Sequence, residues 1–163
     1  DYLGSDLASL ENTLLQLGAY VGFGNRVTTK AVEICVRKPS EVQVFSIMDK
    51  LWAGNKRDGM RELAQLLNDP AESAMGLATL FSRNVRTVLS VKQLQLRGKN
   101  ESQAAQMLGM KPYPVQKAAA SAKKKSYAQL VKMLDAFAAI EWNQKQGLAK
   151  AEDSLILTCQ ENF

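Results

Sequence analysis

Glu101-Ser102-Gln103-Ala104-Ala105-Gln106-Met107-Leu108-Gly109-Met110-Lys111-Pro112-Tyr113-Pro114-Val115-Gln116-Lys117 is the stretch on which the fold turns. An alanine at 105, Leu108-Gly109 just after it and a proline-bounded second segment outline two short helices joined by a tight turn. The spacing predicts helices over 101–108 and from Pro114 to about Lys124. Ala105 allows close helix packing, and Gly109 takes the turn without a Cβ penalty. Those demands serve any two helices meeting steeply, so a helix-turn-helix DNA-binding regulator is an alternative rather than a conclusion. As a reading head the second segment is poor: only Gln116 and Lys117 could reach base edges before the chain runs into alanine.

Helical periodicity extends outward from this pair in both directions. Downstream, Ser126 can cap a helix carrying Leu130, Val131, Leu134, Phe137 and Ile140; Gly147 breaks the chain before a last helix with Leu155, Ile156 and Cys159. Upstream, Asn68-Asp69-Pro70 opens a long helix from about Ala71 to Arg97, which Gly98 closes. Its apolar stripe is Leu77, Leu80, Phe81, Val85, Val88, Leu89 and Val91, with Arg83, Arg86 and Lys92 lying among them. Two earlier helices carry Val44, Phe45, Ile47, Met48, Leu51 and Trp52, then Met60, Leu63, Ala64 and Leu67, with Gly54-Asn55 between.

Val36-Arg37-Lys38-Pro39-Ser40 is the clearest punctuation of the first half, because a residue preceding proline is steered away from helix and Ser40 can cap the next helix. We set a domain boundary there, giving 1–39 and 40–163. In the first part Leu7, Leu10, Leu14 and Leu17 form one helix face, which Ser5 or Asp6 can cap and Gly18 or Gly22 can end. Thr28-Thr29 caps a shorter helix through Ala31, Val32, Ile34 and Cys35. Gly22-Phe23-Gly24 lacks the preceding strand and third glycine of a phosphate loop and reads as a helix-ending turn. No sustained two-residue alternation and no Asn-Gly or Asp-Gly hairpin occurs, so the fold class is all-α.

Composition narrows the chemistry. Of 163 residues, 46% are hydrophobic and 23% charged, which suits one sizeable core or two small ones and not a disordered tail. No apolar run approaches the roughly 20 residues needed to span a bilayer, so no membrane partner is expected. The start at Asp1 reads as a piece of a longer protein. Histidine is absent, which removes Ser-His and Cys-His nucleophile pairs and the imidazole zinc sites. Cys35 and Cys159 stand far apart with no companion ligands, as free thiols of a reducing cytoplasm do. No P-loop and no carboxylate pair suited to acid–base work is present, so neither a cofactor, a metal nor a catalytic residue is expected.

Charge is uneven. Residues 1–54 carry 5 Lys/Arg against 6 Asp/Glu, and residues 55–163 carry 16 against 10, so the net charge of +5 comes wholly from the second part. Lys117 and the run Lys123, Lys124 and Lys125 are the candidate phosphate contacts, although a basic run at a helix end is equally a dipole partner and solvated surface. Trp52, Trp142 and Tyr113 are too scattered for a base-stacking platform; packing is the expected role of Trp52 and Tyr113.

In series, these segments resemble the delta subunit of the bacterial DNA polymerase III clamp loader. Gly4-Ser5-Asp6-Leu7 with Leu10, Asn12, Leu14 and Leu17 resembles the late helix of that family's AAA+ lid, and Val44-Phe45 through Ala53-Gly54-Asn55 its first collar helix and turn. Phe81 and Arg86 fall within what would be that family's long collar helix. Ala105, Leu108-Gly109, Pro112-Tyr113, Val115 and Lys117 are similar to the family's "lgiHPYrVkK" stretch, with Lys111 where histidine is common. Glu141, Lys145 and Gly147 resemble its "D-x-x-x-K-x-G" signature, with glutamate for aspartate.

The resemblance implies a non-catalytic part of the loader, the machine that opens a ring-shaped sliding clamp and sets it on primed DNA for a DNA-directed DNA polymerase, a nucleotidyltransferase. In such proteins delta pries the ring open without hydrolysing ATP, and Ala8 lies where ATP-binding relatives carry a sensor arginine. Residues 1–39 would be part of the lid, with some of its leucine face exposed, and 40–163 the helical collar. The partners implied are the other loader subunits, through the collar; the sliding clamp would be met only through an N-terminal domain outside this sequence, and primed DNA indirectly. Arg83, Arg86, Glu141 and Lys145 are the candidate interface residues. A cytoplasmic location is implied by the same resemblance.

Overall fold

The computed structural model describes residues 7–35 and 40–163, and among these every regular element is a helix. In chain order they are α1 Leu7–Val21, α2 Thr29–Cys35, α3 Ser40–Ala53, α4 Lys56–Leu67, α5 Ala74–Leu96, α6 Glu101–Leu108, α7 Pro112–Ala122, α8 Tyr127–Lys145 and α9 Ala151–Asn162. The caps proposed at Ser5 and Asp6, and the punctuation from Val36 to Pro39, lie outside the described residues. The chain divides into two compact units, 1–43 and 44–163.

In the first unit α1 packs on α2. Gly18 sits inside α1, and Gly22 ends it at φ +80°. Thr28 Oγ1 accepts from the Ala31 amide and caps α2. Leu17 and Ala31 are buried, whereas Leu7, Leu10 and Leu14 of the same stripe are exposed.

The second unit is built around α5, which packs on α6, α7, α8 and α9. Leu77, Phe81, Val85, Val88 and Val91 of its stripe are all buried, joined by Ala74, Ala78 and Leu94, while Leu80 and Leu89 are half-buried. Phe81 meets Phe137 of α8 at a ring-centroid distance of 5.8 Å. Val44, Ile47, Met48, Leu51 and Trp52 bring α3 into the same core. The Trp52 indole stands edge-on to Phe163 at 4.8 Å, and its Nε1 donates to Asn84 Oδ1 at 3.2 Å, so the ring buries its apolar body with its one donor satisfied.

Helix ends follow local chemistry. Asn100 and Ser126 each form a reciprocal capping box, with Gln103 and Gln129 respectively. Gly109 closes α6 in the left-handed region at φ +62°, and the Met110 amide reaches back to the Ala105 carbonyl at 3.0 Å.

Several sequence expectations are corrected. The long helix starts at Ala74 rather than Ala71, because Ser73 Oγ accepts from the Gly76 amide and caps it. The second short helix starts at Pro112 rather than Pro114; proline has no amide to lose in a first turn. Phe45 is exposed on α3. The inner face of α4 is Gly59, Leu63 and Leu66, with Ala64 exposed and Met60 and Leu67 half-buried. Tyr113, expected to pack, is 65% exposed on the first turn of α7.

Candidate functional site

Arg83 and Arg86 stand three residues apart on α5, hence one above the other on a single face. Packing of α5 on α8 leaves a shallow cleft along their seam, lined by both arginines, Thr79 and Ala78 from α5 and by Phe137 and Glu141 from α8. The structure thus brings together three of the four interface candidates. Lys145 lies one turn beyond Glu141 on α8 and donates to its carboxylate. That bond, together with the charge of Lys145, holds the Glu141 carboxyl below its ordinary range. Both arginines are exposed along this seam. Each guanidinium is a planar fork matched to a carboxylate or a phosphate.

The candidate phosphate contacts lie elsewhere, and Lys117, Lys124 and Lys125 are engaged within the unit. Lys117 on α7 pairs with the Asp49 carboxylate on α3, and its ammonium stands 5.2 Å from the centre of the Tyr113 ring. The hydrogen bond to Asp49 raises the Lys117 pKa. Lys124 donates to the Trp52 carbonyl at the end of α3, and Lys125 to the Asn162 carbonyl at the end of α9, 2.7 Å away. Lys123 is exposed.

Two further lysines, which sequence reasoning did not single out for this role, act alike. Lys56 donates to the Gln160 carbonyl of α9, and Lys92 to the Ala122 carbonyl of α7 at 2.9 Å. Four ammonium groups therefore sit on last-turn carbonyls of helices remote from them in sequence, where orphan acceptors and the negative end of the helix dipole attract a cation. No local signal reveals this, because donor and acceptor are separated by 30 to 104 residues. Asp49 was likewise invisible as the partner of Lys117.

Among the described residues no group of acidic, cysteine or histidine side chains could hold a metal ion. No described helix is long and apolar enough to cross a membrane. Cys159 is buried, and burial pushes its thiol up to about 12. It is a packing group, as its neutral form requires.

Residues 41–159 match the sequence profile of a family described as DNA polymerase III delta subunit, C-terminal domain. The DNA polymerase III subunit delta of Bacillus subtilis (strain 168) is 22% identical over 151 residues, covering 93% of this chain and 43% of that protein. The solved structure of the Bacillus subtilis DNA clamp loader delta protein superposes with a TM-score of 0.71 at 20% identity, over 99% of this chain and 47% of the other. The chain thus spans a little under half the length of the relatives it matches.

Proposed function

Since the chain belongs to the family of the C-terminal domain of the DNA polymerase III delta subunit, we propose that it is a non-catalytic component of a clamp loader, in which residues 40–163 form the collar and residues 1–39 part of an AAA+ lid. The observation that carries the reading is the unbroken family match over residues 41–159, nearly the whole of the second compact unit. The likeness in fold to a clamp loader delta protein along almost the full chain supports it.

In this reading the domain works mechanically. A helix-on-helix core holds its outer faces in fixed positions, and neighbouring collars grip those faces, so the collar sets where the rest of delta can reach the clamp. The internal engagement of Lys117, Lys124 and Lys125 agrees with a scaffold whose basic side chains hold helices together. Primed DNA is then met by the assembly rather than read by this domain. A cytoplasmic site of action belongs to the same role.

The test is assembly. The chain, mixed with the other subunits of a clamp loader and run on a sizing column, is expected to co-elute with them. Absence of co-elution, while the same subunits still assemble with an established delta protein, would reject the reading.

A further inference from the structure

Asp49 of α3 pairs with Lys117 of α7, and three residues further along α3 the Trp52 carbonyl accepts from Lys124, just beyond the end of α7. Both links advance toward the C-terminal ends, so the two helices lie side by side and run in the same general direction. Phe45 stands one turn before Asp49, and Tyr113 one turn before Lys117, each on the same helix face as its charged neighbour. The Lys117 ammonium, 5.2 Å from the centre of the Tyr113 ring, ties that ring to the pair. Phe45 and Tyr113 therefore flank one ion pair, and they are 48% and 65% exposed.

Among the exposed residues of α3 from Val44 onward and of α7, Asp49 and Lys117 are the charged ones, and they neutralise each other. The half-buried Lys50 is turned to Glu62 of α4. On a chain with 23% charged residues this surface stands out. It matches the cores of protein interfaces, which are depleted in lysine, glutamate and aspartate and enriched in tyrosine and phenylalanine. Pro112 and Pro114 fix the backbone on either side of Tyr113, so its ring is presented with little entropy left to lose on binding.

Taking the chain as a collar, a premise that rests on the reading above, we propose that Phe45 and Tyr113 anchor a contact with a neighbouring loader subunit, which seats an uncharged apolar side chain against the two rings. The Asp49–Lys117 pair is a positioning pair that holds Tyr113 in place. Charge decides the occupant. Lys117 is committed to Asp49, so a phosphate or a carboxylate entering here would find no free cation on either face and would meet the Asp49 carboxylate. An apolar side chain disturbs no charge and removes both rings from water.

The experiment is a quantitative assembly assay of the chain with the other loader subunits, at two salt concentrations. Phe45→Ala/Tyr113→Ala is expected to weaken assembly about tenfold or more, by the same factor at both salts, because apolar contact is not screened. Tyr113→Phe keeps the ring and is expected to assemble as the parent does, as is Leu157→Ala, which alters an exposed apolar residue of α9. Lys117→Ala should weaken assembly less, and add nothing once Tyr113 is alanine. Circular dichroism checks that each variant is folded, and either single aromatic variant repeats the measurement should the double one lose helix.

Parent-like assembly of the aromatic variants, or an equal loss in Leu157→Ala, overturns the proposal and leaves the collar reading standing. A loss that disappears at high salt overturns it in favour of a charged occupant. Self-association of the isolated chain, abolished by the same substitutions while assembly is intact, overturns it in favour of a second copy. Full additivity of Lys117→Ala with Tyr113→Ala overturns the positioning role. If the parent chain itself does not join the loader, the collar reading falls and the proposal with it.

Discussion

Gly59 shows how a single hydrogen in place of a methyl group sets the distance between two helices. A Cβ there would lie 2.7 Å from Leu51 Cδ2 and 2.9 Å from Leu51 Cγ, and Leu51 is buried in the core of the second unit. Alanine would gain about 1 kcal/mol of helix propensity, but overpacking a filled core costs about 1–3 kcal/mol. Gly59→Ala is therefore expected to lower stability in urea unfolding, and to cost less when Leu51 is already alanine; equal cost in both backgrounds would refute the clash. Cys159 gives a pH prediction. Its thiol titrates at about 12 in the fold against an ordinary 9.0. Between those values the unfolded chain binds fewer protons, so this group lowers stability as pH rises from about 9 and contributes no pH dependence below that. The gap in unfolding free energy between the parent and Cys159→Ala should shift against the parent from pH 7.5 to pH 10; a constant gap would count against it. At this scale the sequence was legible where a residue answers to its own neighbours, as at Ser126 or Gly109, and illegible where exposure depends on remote packing. Phe45 and Tyr113 carry apolar rings at plausible core spacing, yet the inner faces of α3 and α7 are filled by Val44, Met48, Leu51 and by Val115, Ala118, Ala119.

Each helix depends on what closes its ends. The turn at Gly109 is local and was readable, which is why a pair of short helices was recognised here, with the second expected from Pro114 to about Lys124 rather than over Pro112–Ala122. The start of α5 was misread because Asn68-Asp69-Pro70 looks like a cap signal, whereas Ser73 three residues on makes the hydrogen bond. The C-terminal carbonyls of α3, α7 and α9 are met by lysines remote in sequence, and that arrangement exists only after folding. It yields a graded prediction within one basic run. Lys124→Ala/Lys125→Ala removes two ammonium groups from two helix ends and should cost about 1–2 kcal/mol in urea unfolding. Lys123→Ala, one residue away but exposed, should stay within about 0.5 kcal/mol of the parent. If all three lysines prove equivalent, the run is plain solvated surface and the capping argument fails.

For the molecule as a whole, the division of labour is written in which residues are buried. The core around α5 draws on Val44 and residues beyond it, together with the partly buried Phe163 at the far end of the chain. The first unit buries far less: Leu17 and Ala31 are its buried apolar residues among those described, while Leu7, Leu14, Leu15 and Phe23 face solvent. The fraction of surface that folding buries falls as a chain shortens, and below roughly 40 residues a lone apolar core seldom offsets chain entropy. A fragment of residues 40–163 is thus expected to fold alone, keeping its helical circular dichroism and one cooperative urea transition. A fragment of residues 1–39 should show little helix at the same concentration. Loss of the cooperative transition on removing 1–39 would mean that the core of the second unit leans on the first, and that the buried side chains from Val44 to Phe163 do not suffice to hold α5 in place.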